Sequence, residues 1–186
     1  TIVNNYGIAA TVTIFAQALV TGAMLQSAIG FLQYTGHYKI LGDFLFYDGS
    51  HPTTNIFGHF GQRNHYCHYL SWAVFGLIYL YLKNKILRSN FYTILLWFMF
   101  SITIASSRSV FIYFAMALII SGIYFAMKRD GISRKLFLTI IISTIALILF
   151  EYGYPIVQNI IHGHSSHIQS GLQRLSDTAT DNGTGR

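Results

Sequence analysis

The sequence predicts an all-α fold: a polytopic transmembrane helical bundle with about five spans and a polar loop on its outer side. Of the 186 residues, 53% are hydrophobic and only 10% are charged, against about 25% charged in an ordinary soluble domain. The apolar residues gather in runs almost free of charge, and runs of roughly 18 or more residues are read as membrane-crossing helices. The basic residues fall in the short gaps between those runs.

Five stretches contain no Asp, Glu, Lys, Arg or His: 6–33, 69–82, 91–107, 109–127 and 136–150. The second and fifth are short, so the second is extended back toward His65 and the fifth forward to about Tyr154. Lys83, Lys85 and Arg88 fill one gap, and Lys128, Arg129, Arg134 and Lys135 fill another. By the positive-inside rule both gaps are cytoplasmic. Two spans separate them, so the topology closes: N-terminus inside, 34–64 outside, 83–90 inside, 106–109 outside, 128–135 inside, 151–186 outside.

The formal net charge of +6 is thereby explained by position, with no basic amphipathic face for nucleic acid. The lone Cys67 excludes an internal disulfide. The first run is too long for a signal peptide and lacks a basic leader and a small-residue cleavage site. The chain starts at Thr1 and stops in a polar segment, which reads as a piece of a longer protein. It divides into an N-terminal span with its outer loop (1–50), a polar motif with the second and third spans (51–105), and a final unit (106–186) that ends inside an outer loop.

The densest polar cluster is Gly58-His59-Phe60-Gly61-Gln62-Arg63-Asn64-His65-Tyr66-Cys67-His68, placed where the outer loop re-enters the membrane. Polar groups at that depth are costly unless they face a bundle interior or a wet cavity, which makes them functional candidates. Gly58 and Gly61 permit a tight turn. A helix starting near Gln62 puts Gln62, His65 and Tyr69 on one face, Arg63 and Tyr66 on another, and Asn64 and His68 on a third. Gln62 and Asn64 then point apart, so that one can bind a ligand while the other braces the turn. The competing view is an ordinary interfacial segment. A metal site at His65, Cys67 and His68 is disfavoured, because three donors so spaced on a helix converge poorly and no carboxylate is near; no metal or cofactor is expected. His162, His164 and His167 read as solvated loop residues.

Ser106-Ser107-Arg108-Ser109 joins the third and fourth spans so tightly that Arg108 sits at the outer interface, the only charge between Arg88 and Lys128. It either snorkels to headgroups or offers its planar fork to a phosphate, and Ser109 is placed to cap the fourth helix. Arg174 and Arg186 add cations to the same side, against the usual bias, which suits an anionic ligand such as a pyrophosphate.

The cluster at 58–66 resembles the glycine-glutamine-x-asparagine signature of bacterial protein O-oligosaccharyltransferases, the pilin-glycosylating relatives of O-antigen ligases. Ser106 to Ser109 resembles the serine-arginine motif opening that superfamily's ligase domain, and 170–175 with 183–186 resembles the start of its large periplasmic loop. The resemblance covers roughly 50–186. It implies an enzyme of the bacterial inner membrane, active on its periplasmic face, that moves a preassembled oligosaccharide from undecaprenyl pyrophosphate to a Ser or Thr hydroxyl of a periplasmic protein such as pilin. Arg108 and Arg186 with Gln62 would be catalytic, and Asn64, Arg63, His65, Arg174 and Ser109 would bind substrate. Members carry a loop histidine as general base, expected beyond Arg186. A ligase or polymerase acting on lipid A core or on glycan is the alternative within the class. A small-molecule transporter or channel is the rival from another class, and predicts broken helices at mid-membrane.

Overall fold

The computed structural model describes residues 2–37, 39, 40, 42 and 56–162, with side chains from 7 to 156 within those stretches. Among the described residues the architecture is all helical: α1 (Ile2–Tyr34), α2 (Arg63–Leu82), α3 (Arg88–Ala105), α4 (Ser109–Lys128) and α5 (Gly131–His162). Among the described residues three helical stretches are long and apolar enough to cross a membrane, Gly7–Tyr34, Ser109–Lys128 and Gly131–Ile156. The helix of the fifth predicted span continues to His162, well past the end of its charge-free run, with Pro155 inside it. At Gly7 the backbone leaves helical geometry (φ 73°, ψ 160°), which only glycine adopts readily.

α2 and α3, at 20 and 18 residues, have the length of a span, about 30 and 27 Å at ~1.5 Å per residue, yet they are less apolar. Their position explains this. Each buries nine residues, whereas the apolar stretches of α1 and α4 are only 17% buried and that of α5 28%. The most apolar helices present their surface outward, where lipid would lie, and the helices carrying His, Tyr, Trp and Ser occupy the centre. α2 packs on α1, α3 and α4, while α5 closes the bundle against α3 and α4.

The α1–α2 contact is built from small residues. Ala16, Val20, Ala23, Ser27, Gly30 and Gln33 recur at spacings of three and four and form the buried seam of α1. Gly22 faces the Tyr69 hydroxyl and Gly30 the Tyr66 hydroxyl so closely that a Cβ at either would collide, which is how helices approach when lipid supplies no hydrophobic drive. Trp97 of α3 donates its indole N–H to Ser27 Oγ at 2.6 Å, tying the third helix to the first.

Helix ends are set by local chemistry. α1 stops in a Schellman arrangement at Gly36 (φ 76°), with His37 N–H on Leu32 O, and α2 stops likewise at Asn84 (φ 53°), with Lys85 N–H on Leu80 O. Asp130 starts α5 by accepting the Ser133 N–H at 2.6 Å. At this end Lys135 Nζ of α5 lies 4.2 Å from the Tyr81 ring of α2, and Tyr81 stacks on Phe91 of α3. The two basic gaps thus meet at one end of the bundle.

Candidate functional site

The opposite end gathers the polar motifs. The chain approaches α2 through a turn at 56–62 in which Ile56, Phe57 and Gly58 are buried and Gly58 and Gly61 have positive φ of 56° and 65°. Buried backbone polar groups need partners, and two glutamines of α1 supply them. Gln33 Oε1 accepts the N–H groups of Phe57 at 3.1 Å and Gly58 at 2.8 Å, while its Nε2 donates to Gly58 O at 3.1 Å. Gln26 Oε1 accepts the His59 N–H at 2.9 Å. A side chain on Gly58 would meet Gln26 and the Tyr66 ring, so both its φ and its surroundings require glycine.

Gln62 is the residue preceding α2, extended at φ −145°, exposed and without a side-chain capping bond. Arg63 opens the helix half-buried, and its Nη1 is enclosed without a hydrogen-bond partner among the described residues. Asn64 and His65 are exposed on the next two positions. Cys67 is fully buried and directs its thiol to Ile102 O at 3.8 Å, away from the histidines. Among the described residues no three His, Cys, Asp or Glu side chains are placed to share an ion.

α3 ends at Ser106, held in the left-handed region at φ 56°, and this reversal swings Ser107 against α2. Ser107 Oγ donates to Asn64 Oδ1 at 3.0 Å and lies 2.9 Å from Ser109 Oγ, which lies 3.2 Å from His68 Nε2. The His68 ring stands edge to face with Tyr113 at 5.1 Å and with His65 at 6.0 Å. Arg108, exposed between the two serines, takes the capping position of α4 without a side-chain cap bond. The expectation that Ser109 caps α4 is therefore corrected: its hydroxyl is engaged sideways with Ser107 and His68 and does not turn back along its own helix.

The structure thus brings Arg108, Ser109, Asn64, Arg63, His65 and Gln62 to one end of the bundle and links Asn64 to Ser109 directly through Ser107. Arg174 and Arg186 lie outside the described residues, as do His164, His167 and the side chain of His162. Three polar residues escaped the sequence analysis. Gln26 and Gln33 lie in an uncharged run and reveal themselves only by contact with residues more than twenty positions away. Glu151, the single glutamate of the chain, is buried to 1% exposure on α5; an acidic residue inside a helix of this apolarity was the available signal.

Residues 56–81 match the family model described as protein glycosylation ligase. No curated protein and no solved structure matches the chain. The matched stretch runs from the buried turn through nearly all of α2, so the segment similar to that family is the one that carries Gln62, Arg63, Asn64, His65 and His68, and the similarity supports a protein glycosylation ligase in general terms.

Proposed function

We propose that the protein is a membrane glycosyltransferase that moves a preassembled oligosaccharide from a polyprenyl pyrophosphate, undecaprenyl pyrophosphate in bacteria, to a Ser or Thr hydroxyl of an acceptor protein such as pilin, at the outer face of the inner membrane. The observation that carries this reading is the Asn64–Ser107 hydrogen bond at 3.0 Å, which joins the segment similar to glycosylation ligases to the Ser107-Arg108-Ser109 turn, at the end of the bundle opposite its basic loops.

In this reaction the acceptor oxygen attacks the anomeric carbon, the bond from that carbon to the pyrophosphate oxygen breaks, and the pyrophosphate leaves with the electron pair. The acceptor proton passes to a base, the loop histidine that the family resemblance implies. Arg108 supports the leaving charge with its planar fork, joined by Arg174 and Arg186. Gln62 and Asn64 position the reactants, with Arg63, His65 and Ser109 around them.

The test is transfer by the intact protein, expressed in a host that makes a lipid-linked oligosaccharide together with a pilin acceptor. The acceptor is expected to gain the mass of one glycan, in the presence or absence of EDTA. An unmodified acceptor overturns the reading. Loss of transfer in EDTA, restored by a divalent cation, would overturn the assignment of charge stabilisation to arginines.

A further inference from the structure

Asn64, Ser107, Ser109 and His68 form one hydrogen-bonded line across α2, the end of α3 and the start of α4, with successive separations of 3.0, 2.9 and 3.2 Å. Its direction follows from proton counting. A serine hydroxyl has a single proton to donate. Ser107 donates its proton to Asn64 Oδ1, so in its contact with Ser109 it must accept. Ser109 has then committed its own proton to Ser107, so toward His68 it must accept as well. The line runs from His68 Nε2–H through Ser109 and Ser107 to Asn64.

Two consequences follow. A neutral His68 is held as the Nε2–H tautomer and cannot act as a base on Ser109, although the pair alone resembles a nucleophile beside its activator. The carbonyl oxygen of Asn64 is turned inward to Ser107, so its NH2 group is the half of the amide presented outward, on a residue that is exposed. Edge-to-face contacts of the His68 ring with Tyr113 and His65 hold the far end of the line in place. A line of the opposite sense would flip the Asn64 amide and leave its oxygen facing out.

The geometry points to His68 as the positioning residue of this end of the bundle: acting through Ser109 and Ser107, it holds Asn64 with its NH2 toward the ligand, so that the site receives an acceptor oxygen of the glycan donor or of the protein acceptor. The identity of the ligand rests on the glycosyl-transfer reading; the polarity of the line does not.

Two measurements on the intact protein separate these. The first is the side-chain 15N spectrum of histidine-labelled protein in detergent above pH 8, where His68 is neutral. It is expected to show His68 protonated at Nε2, with the signature lost in Ser109→Ala. His68 protonated at Nδ1, with a bare Nε2, overturns the proposal whether or not the protein transfers glycan. The second is steady-state transfer. His68→Gln keeps a donor at the Nε2 position and is expected to stay within about threefold of wild type, whereas His68→Ala is expected to raise KM about tenfold with kcat little changed. A rise in KM for the lipid-linked donor assigns the Asn64 contact to the donor, and a rise for the protein substrate assigns it to the acceptor. Joined to Asn64→Ala, His68→Ala is expected to add nothing. Equal losses for Gln and Ala, or additive losses with Asn64→Ala, overturn the positioning role. Absence of transfer by the wild-type protein overturns the glycosyl-transfer reading alone.

Discussion

At the basic end of the bundle the cations stand in the open: Lys83, Lys85, Arg88, Lys128, Arg129 and Arg134 are exposed, and Arg88 and Lys135 lie over the rings of Tyr92 and Tyr81. At the polar end the hydrophilic groups are tied to one another. Gln33 and Gln26 satisfy the backbone of the turn, and Asn64 is bonded to Ser107. Charges at a water-facing loop need no partner and can be exchanged freely, whereas polar groups taken toward the interior must be satisfied within the protein. One end has the properties of an anchor and the other those of a built site.

The largest effect should come from breaking the satisfied end at its support. Gln33→Leu keeps the volume of the side chain but strands the buried N–H groups of Phe57 and Gly58, at roughly 1–3 kcal/mol each. Thermal unfolding in detergent should fall accordingly, and transfer should be lost because the turn that delivers Gln62 to Asn64 is no longer held. A variant that melts like wild type would show that the turn is kept by other contacts. The same change at exposed Gln17 should be silent.

How much of this was legible beforehand differs between the two ends for a physical reason. Charge-free runs and basic gaps are local properties of the sequence, so the helices, the basic end and the start of α2 beside Gln62 were all legible, and helical spacing placed Asn64 and His68 on one face. The partners of that face were not. Ser109 lies 41 residues from His68 and Gln33 lies 25 from Gly58, and nothing in a run of uncharged residues says which amide will be inside. Ser109 was expected at a helix cap because serine at a helix start usually serves there; the left-handed turn at Ser106 put a second serine within reach and offered its hydroxyl a different partner.

The next effect sharpens the contrast between two arginines of the polar end. From the sequence alone, Arg63 is expected to tolerate lysine better than Arg108. Burial argues for the opposite ordering. Arg63 is half-buried with its Nη1 enclosed, a place that suits a weakly hydrated planar guanidinium better than a compact, strongly hydrated ammonium. Arg63→Lys should therefore be at least as damaging as Arg108→Lys. For Arg108→Lys the proposed phosphate fork predicts a loss in kcat/KM of tenfold or more, about 1.4 kcal/mol of transition-state stabilisation. Parallel transfer assays on well-expressed variants decide both: normal transfer by Arg108→Lys returns that residue to the role of an interfacial anchor, and a smaller loss for Arg63→Lys than for Arg108→Lys restores the ordering expected from the sequence.

The smallest effect belongs to the basic end, where Asp130 starts α5. Its carboxyl is held below the ordinary carboxylate value, first because the ionised oxygen accepts the Ser133 N–H, then through further bonding to Ser133 and the nearby Lys128. A carboxyl depressed in the folded state contributes stability that is complete above its unfolded value, about 3.9, and is lost as pH falls through the folded value. Asp130→Asn retains a capping oxygen without the charge and should melt between wild type and Asp130→Ala at pH 7. The wild-type advantage over Asp130→Ala should stay level from neutrality down to about pH 5 and shrink only below about pH 4, where the proton displaces the charge that the Ser133 N–H stabilises. Thermal melts of the three proteins across that range are the measurement. An advantage that grows on acidification would mean that Asp130 is stabilised in its protonated form, and an advantage independent of pH would mean that the cap acts through geometry without its charge. In either case the basic end would hold its helix by something other than an exposed, screened ion.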